Sequence, residues 1–330
     1  MKKKDPDDLV KKAQKELEPG FFKSIFSDSS SRLEKAMDFY KEAAELYKIK
    51  REWIKAGDCF IEIANLKESL KDDPCESYNN AILCYNKGGD KEKYSKLTNK
   101  LINLYADNGQ FSFAADLVYE KAQKMLSKET KINQIEPKKL EKILSLYDKA
   151  LDYLKMDKNT KESMTMKIKE AKADLIVLNG VKDEIPKAKF YYEEIADYYK
   201  KSNSGKVFCK DYYAKIVFLY LAYDEYITAK AFLNKYYGQD KSFNGTAVGN
   251  FLDNIIICFE NDGKDIKEDY GTEEDPFNFE KAVLLYKEKV NYNKKFWDEW
   301  KEIMVDKIRK KIEKIRDESE NIQEDEDDYK

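Results

Sequence analysis

The amino-acid sequence predicts an all-α fold built from stacked helical hairpins, and two observations carry this prediction. Small residues and tyrosines recur at helical spacing along most of the chain. The 330 residues include only 12 Gly and 6 Pro, which are too few for the many tight turns of an all-β fold or the loops of a parallel α/β sheet. An irregular helical bundle with the same periodicity is the alternative that the pattern leaves open.

The recurring element places a tyrosine four positions after a small or apolar residue, a small residue three positions later, and Tyr or Leu after four more. These offsets put all four residues on one face of an α-helix. The copies are Ala36-Tyr40-Ala43-Tyr47, Ala115-Tyr119-Ala122-Leu126, Ile143-Tyr147-Ala150-Leu154 and Ala188-Tyr192-Ile195-Tyr199, with a partial copy at Ala81 and Tyr85. Their first tyrosines lie between 28 and 45 residues apart, whereas a tetratricopeptide array repeats every ~34 residues. We therefore predict a solenoid of degenerate, tetratricopeptide-like hairpins.

The chain is expected to have three parts. Turn signals separate the hairpins, and the hydrophobic register changes near Tyr236. The parts are a hairpin solenoid at 1–238 with an N-terminal apolar loop at 19–31, a C-terminal helical bundle at 239–316 and an acidic tail at 317–330. Within the bundle we expect helices through Phe279–Val290 and Phe296–Ile315, and Trp297 and Trp300 as core anchors. The tail holds eight acidic residues and one lysine, which is typical of a solvated segment.

The composition disfavours most catalytic chemistry. The chain has no histidine, which excludes Ser–His and Cys–His nucleophile pairs and every zinc site with a histidine ligand. The 61 Lys and Arg are interleaved with 64 Asp and Glu, for a net charge of −3, so that no basic stripe of the kind that binds nucleic acid is present. We therefore predict a binding protein, not an enzyme, without a cofactor or a metal.

Features that would direct the chain out of the cytosol are missing from the sequence. Met1-Lys2-Lys3-Lys4 is followed by Asp5-Pro6 instead of the apolar stretch of a secretory signal. The longest apolar run, Ile216–Tyr223, is far shorter than the roughly 18–20 residues of a membrane span. Five scattered cysteines without a C-x-x-C pair are typical of free thiols in a reducing compartment. These observations predict a cytoplasmic protein.

The segment Pro19–Ser31 is unusual because Phe21, Phe22 and Phe26 crowd between a Pro-Gly break and a polar stretch. Two interpretations are open on the residues alone. The aromatic side chains could plug the open end of the first hairpin, since solenoids need capped ends. Alternatively, the loop could dip into a membrane interface, with Lys23 meeting anionic headgroups.

An ordered set of segments then covers nearly the whole chain. The apolar loop is followed by AMDFYKEAAELYKIKREWIKAGDCFIEIANL, a Gly-Gly turn, NGQFSFAADLVYEKA and KDYYAK, and then by Asn250-Phe251-Leu252, Asp298-Glu299-Trp300 and a final DEDDYK. This set resembles the soluble NSF attachment proteins of the alpha/beta type. The resemblance implies a twisted solenoid of tetratricopeptide-like hairpins followed by a C-terminal helical bundle, in agreement with the periodicity.

The resemblance also implies a function. Such a protein is a non-enzymatic adaptor, a monomer when free, of which several copies wrap an assembled SNARE four-helix bundle. The copies recruit and stimulate the hexameric ATPase NSF, which takes the bundle apart, and they contact membranes weakly at the periphery. A generic helical-repeat scaffold for another peptide or coiled coil is the alternative, and only the adaptor should form a ternary complex with both SNAREs and NSF.

Individual positions match those that the family uses on three surfaces. The membrane-touching loop corresponds to Phe21, Phe22 and Phe26, together with Lys23. The implied SNARE-facing basic residues are Lys167, Lys169 and Lys210, with Lys121 and Lys124 as replacements for a departure in the same region: Gln110 and Asp116 stand where the family tends to be basic. The implied NSF-facing residues are Asp224, Glu225, Glu260 and Asp262, and the tail residues Asp327, Asp328 and Tyr329, the last in place of the usual leucine.

Overall fold

The structure is a computed structural model that describes residues 5–18, 29–159, 162–202, 205–267, 271–272, 274–293 and 297–328, with the backbone alone at 29 and 321–328. Fourteen α-helices make up most of this described part, which confirms the all-α prediction. In chain order they are α1 (Pro6–Leu17), α2 (Ser29–Ile49), α3 (Trp53–Ser69), α4 (Cys75–Gly88), α5 (Lys91–Asp107), α6 (Phe111–Leu126), α7 (Pro137–Met156), α8 (Glu162–Leu178), α9 (Ile185–Lys200), α10 (Lys206–Tyr223), α11 (Tyr226–Gln239), α12 (Ala247–Glu260), α13 (Phe279–Lys289) and α14 (Glu299–Asp328).

Contacts divide the chain into two compact units. Unit 1 comprises Met1–Gln123 and Asp148–Thr160, and unit 2 comprises Lys124–Tyr147 and Lys161–Lys330. The domain boundary that the sequence suggests at residue 238 stays a prediction.

In unit 1, each of the helices α1 to α4 packs on the next helix along the chain, as expected for stacked hairpins. The repeat residues fill these interfaces, since Ala36, Tyr40, Ala43 and Tyr47 of α2 are all buried. Their small members allow neighbouring helices to approach closely. The hairpin sequence pattern therefore corresponds to the packed faces of this unit.

Unit 2 is organised around α10, which contacts α9, α11, α12 and α14. Its core is strongly aromatic. Phe251 of α12 stacks on Tyr286 of α13 with ring centroids 4.5 Å apart, and Phe218 of α10 meets Trp300 of α14 edge-on at 6.1 Å. Trp300 is buried, as its spacing from Trp297 suggests. Aromatic contacts of this kind add to the free energy of simple area burial.

The last helix is longer than the sequence suggests. We expected a helix end at Ile315, but α14 continues to Asp328. No Gly or Pro follows Ile315 within α14, and four of the residues from 316 to 328 are Glu, which has high helix propensity. The first part of the acidic tail is therefore the end of a helix instead of a separate irregular segment.

The cysteines have the state that the sequence predicts for them. All five cysteines are buried free thiols, and burial raises the pKa of Cys59 to about 12, so that this thiol acts as a small core hydrophobe. Among the helices of the described ranges, none combines the length and the apolarity needed to cross a bilayer.

Candidate functional site

Four acidic residues that the sequence analysis assigned to partner binding lie at one end of unit 2. Asp224 and Glu225 form the junction between α10 and α11, Glu260 ends α12, and Asp262 follows it. The two segments are held together by a stack of Tyr226 on Phe259, with ring centroids 5.6 Å apart and planes only 8° from parallel. We call Asp224, Glu225, Glu260 and Asp262 the acidic corner.

Lys311 of α14 ties this corner to the last helix. Its Nζ donates to the backbone oxygen of Leu221 at 3.0 Å and to that of Asp224, and it lies 5.6 Å from the ring centroid of Phe259. Burial lowers the pKa of Lys311, an effect that the carboxylates of Glu225 and Asp224 oppose. The two carbonyls belong to the end of α10, where helix carbonyls lack intrahelical partners, so Lys311 supplies a positive charge at the negative end of that helix.

The turn that carries Asp262 packs on the same part of α14. Asp262 and Gly263 both have left-handed backbone, with φ of 53° and 72°. A Cβ on Gly263 would lie 2.8 Å from Cγ2 of Ile312 and 2.9 Å from its backbone oxygen. Glycine is therefore required at this position, because any side chain would push the turn away from α14.

The four carboxylates differ in their availability to a partner. Asp224 accepts from Lys189 at 2.7 Å, and Glu260 pairs with Lys230, whose pKa this contact raises. Glu225 and Asp262 form no ion pair within the part of the chain that the structure describes. The corner thus presents two carboxylates without an ion pair among the described residues, of which Glu225 acts electrostatically on Lys311, beside two that lysines hold in ion pairs.

The basic residues assigned to SNARE binding also differ in exposure and in their contacts within the chain. In unit 2, Lys169 of α8 pairs with Glu194 at 2.7 Å and its side chain is only 15% exposed, whereas Lys167 is exposed. Lys210 of α10 donates to the backbone oxygen of Ser242 at 2.9 Å and stays partly exposed. Lys169 is therefore largely buried in an ion pair, whereas Lys167 and Lys210 are more exposed.

Helix α6 carries the remaining basic candidates. Lys121 donates to Oδ1 of Asn99 at 2.7 Å from an exposed position. Burial, with a smaller contribution from Lys128, lowers the pKa of Lys124. Asp116, one of the two departures from the family pattern, is exposed on the same helix. Gln110, the other departure, directly precedes Phe111, the first residue of α6.

Several residues that the resemblance assigns to membrane or NSF binding have no described side chain. Phe21, Phe22, Lys23, Phe26 and Tyr329 lie outside the described residues, and Asp327 and Asp328 belong to the last turn of α14, where only the backbone is described. The membrane and tail assignments therefore remain predictions.

Sequence reasoning missed the residues that organise the acidic corner. Lys189, Lys230 and Lys311 each contact a member of it or its backbone, yet each looked like an ordinary surface lysine. A weak signal was available for Lys311, because it adjoins Ile312 and lies three positions after Ile308, two residues of the apolar stripe of α14.

The family model for soluble NSF attachment proteins matches residues 4–313 of the chain. This chain belongs to that family. A vesicular-fusion protein SEC17 of Komagataella phaffii is 30% identical over 266 residues, which cover 79% of this chain and 86% of that protein. The alpha-soluble NSF attachment protein of Saccharomyces cerevisiae is 26% identical over 325 residues, 95% of this chain and 98% of that protein. The human alpha-soluble NSF attachment protein is 26% identical over 218 residues, 66% of this chain and 68% of that protein.

Membership of the soluble NSF attachment protein family confirms the resemblance that the ordered segments indicated. The family consists of adaptors, not of enzymes, and its members serve vesicle fusion and trafficking. Family membership therefore supports an adaptor role in NSF-dependent vesicle fusion for this chain.

Proposed function

We propose that this protein binds assembled SNARE complexes and recruits and stimulates the ATPase NSF, which then takes the complexes apart. The observation that carries the proposal is the acidic corner, where four carboxylates from two separate loops come together at one end of unit 2. Family membership gives this corner its expected partner, a basic surface on NSF.

The construction of the corner suits a docking surface for a basic partner. Lys311 and the Tyr226–Phe259 stack fix the backbone of both loops, so that little conformational entropy is lost on binding. Glu225 and Asp262, which form no ion pair among the described residues, supply negative charge that attracts a basic surface and sets its register. Asp224 and Glu260, already paired, act mainly to hold these loops.

On the SNARE side, Lys167, which is exposed, and Lys121 and Lys210, which are partly exposed, would face the polar and acidic surface of the four-helix bundle. Individual contacts between exposed charges are worth about 0.2–1 kcal/mol each. Several copies bound to one bundle would convert such weak contacts into avidity. This agrees with a free monomer that assembles only on its target.

The deciding experiment measures the ATPase rate of NSF with a preassembled soluble SNARE complex, with and without this protein, together with loss of the complex. Wild type should stimulate both. The variant Glu225→Gln with Asp262→Asn removes two charges while keeping shape, and Asn tolerates the left-handed backbone at 262. We expect stimulation at sub-saturating protein to fall roughly three- to ten-fold.

The control variant Glu141→Gln with Glu288→Gln removes two exposed charges of unit 2 that lie outside the corner. It should stimulate like wild type. Equal loss in both double variants would show that net charge, not the corner, matters. Binding to SNAREs without any NSF stimulation by wild type would contradict the adaptor function itself.

The apolar loop is proposed to make the weak membrane contact. The variant Phe21→Ser with Phe22→Ser removes apolar surface that would enter the bilayer interface. Its activity should drop on SNARE complexes in liposomes and stay at the wild-type level on soluble complexes. Equal loss on both substrates would instead indicate that the two phenylalanines cap the first hairpin.

A further inference from the structure

Unit 1 contains a groove between α3 and α5 that no part of the proposed function uses. Its volume of about 380 Å³ falls in the range of sites for small molecules. Helix α4, which packs on both α3 and α5, lines it with Tyr78 and Tyr85. Ile61 of α3 and Leu97 of α5 add apolar surface from the two sides. None of the lysines assigned above to SNARE binding is among its lining residues. We call this surface the α3–α5 groove.

The hydroxyl groups of the two tyrosines are bonded within the protein. Tyr78 donates to Glu68 at 2.8 Å, and Tyr85 donates to Asp58 at 2.7 Å. Because these polar groups already have partners, the tyrosines offer a ligand chiefly the apolar surface of their rings. The α3–α5 groove therefore suits a ligand with a hydrocarbon part.

Two ion pairs bridge α3 and α5 along this groove. Asp58 pairs with Lys93 at 2.7 Å, and Glu68 pairs with Lys100 at 3.0 Å. The two paired lysines lie seven positions apart on α5, which corresponds to about 10 Å along a helix. The space between the pairs is therefore as long as a hydrocarbon chain of medium length.

Lys96 lies between the two paired lysines on the same face of α5 and differs from both. It is exposed and forms no ion pair with any described residue. The residues that line the groove include three lysines and a single acid, Asp58, so that positive charge is left for an anion. Asn65 of α3 adds an exposed amide, which can donate to a carboxylate.

We propose that the α3–α5 groove binds a medium-chain fatty-acid anion, with the alkyl chain against Ile61, Leu97 and the tyrosine rings and the carboxylate at Lys96. The apolar lining favours a hydrocarbon chain, and the distance between the two ion pairs sets its length. One lysine without an acidic partner matches a single negative charge. The site lies within unit 1 of one molecule, so the proposal does not depend on SNARE or NSF binding.

Titration of the isotope-labelled protein with sodium decanoate below its micelle concentration, followed by amide chemical shifts in two-dimensional NMR, tests the site. Decanoate should shift amides of α3, α4 and α5. Each buried methylene strengthens binding about three- to four-fold, so that affinity should rise from hexanoate through octanoate to decanoate. Decanol has the same chain without the charge, and it should bind about two- to five-fold more weakly than decanoate.

Variants of the exposed lysine give the sharpest result. Lys96→Gln should lower the affinity for decanoate about two- to five-fold and leave that for decanol unchanged, whereas Lys96→Arg keeps the charge and should bind like wild type. The control Lys91→Gln removes an exposed lysine of α5 that does not line the groove, and it should also bind like wild type. Shifts that leave out α3, α4 and α5, an affinity independent of chain length, equal affinity for decanol and decanoate, or equal effects of Lys96→Gln and Lys91→Gln would each overturn the proposal.

Discussion

The two units use the same hydrogen bond at different depths. In unit 1, the hydroxyl of Tyr85 donates to Asp58 at 2.7 Å, and the aspartate side chain is 49% exposed. In unit 2, the hydroxyl of Tyr192 donates to Asp174 at 2.5 Å. Both tyrosines are buried, Tyr85 at 3% and Tyr192 at 0% exposed, and the Asp174 side chain is 32% exposed. Both tyrosines belong to the repeat pattern, so the pattern alone does not determine how much each bond stabilises the fold.

The two hydrogen bonds differ in the further groups that contact the tyrosine and the aspartate. In unit 1, Lys93 of α5 forms an ion pair with Asp58 at 2.7 Å, and both side chains are nearly half exposed. In unit 2, Nε1 of Trp300 donates to the Tyr192 hydroxyl at 3.1 Å, and Lys215 donates to Asp174 at 2.6 Å. This network joins α8, α9, α10 and α14. Its bond between Trp300 and Tyr192 is buried, so water cannot readily replace a missing partner there.

Removal of the Tyr192 hydroxyl should have the largest effect. Tyr192→Phe leaves the buried Trp300 N–H without its acceptor and removes one of the donors to Asp174. We expect a loss of about 2 kcal/mol in the free energy of opening of α9, because an orphaned buried polar group is costly. Hydrogen exchange of α9 amides measures this value for unit 2 separately from unit 1.

The matched change in unit 1, Tyr85→Phe, should lower the free energy of local opening by less than Tyr192→Phe does. Tyr85→Phe removes the same hydroxyl, but Asp58 keeps Lys93 and can bind water at its exposed face. The free energy of opening of α4 should fall by about 0.5 kcal/mol in the same exchange experiment. Losses of equal size in the two variants would contradict the argument that burial decides the value of the bond.

The tyrosine stripe could be predicted from sequence because it depends only on helical spacing. Tyr192 belongs to one of the predicted repeat copies and is buried as the pattern requires. Its partners could not be predicted in the same way. Asp174 lies 18 residues upstream and Trp300 lies 108 residues downstream, and periodicity within one helix carries no information about such pairings.

The acidic corner shows the same limit. Family resemblance named its four acids, but it did not indicate that Lys311 would hold the α10–α11 junction through backbone oxygens. A lysine at a partly buried position is unusual, and pattern reasoning assigns such a residue to the solvated face. Long-range packing of α14, which no local signal specifies, places it there instead.

Asp253 of α12 offers a further test in unit 2, because its side chain is partly buried and burial affects its pKa more than its tyrosine partner does. Tyr237 donates to Asp253 at 2.8 Å. Burial nevertheless raises the pKa of Asp253, while this hydrogen bond and the charge of Lys230 oppose the rise. The native state therefore retains the proton at a higher pH than the unfolded chain does, and the stability from Asp253 is lost as pH rises from its unfolded pKa, near ~3.9, past its raised native pKa.

Asp253→Asn keeps an oxygen that can accept from Tyr237 and removes the titration. As pH rises through this window, the Asn variant should gain stability relative to wild type, and the difference should level off at higher pH. Tyr237→Phe removes a bond that favours the charged carboxylate, so it should raise the pKa of Asp253 further and extend the window upwards. Urea unfolding at several pH values measures both slopes. If wild type and Asp253→Asn showed parallel pH dependence, burial would not control the pKa of this carboxylate. The effect of burial on hydrogen bonds in unit 2 would then be limited to the Tyr192 network.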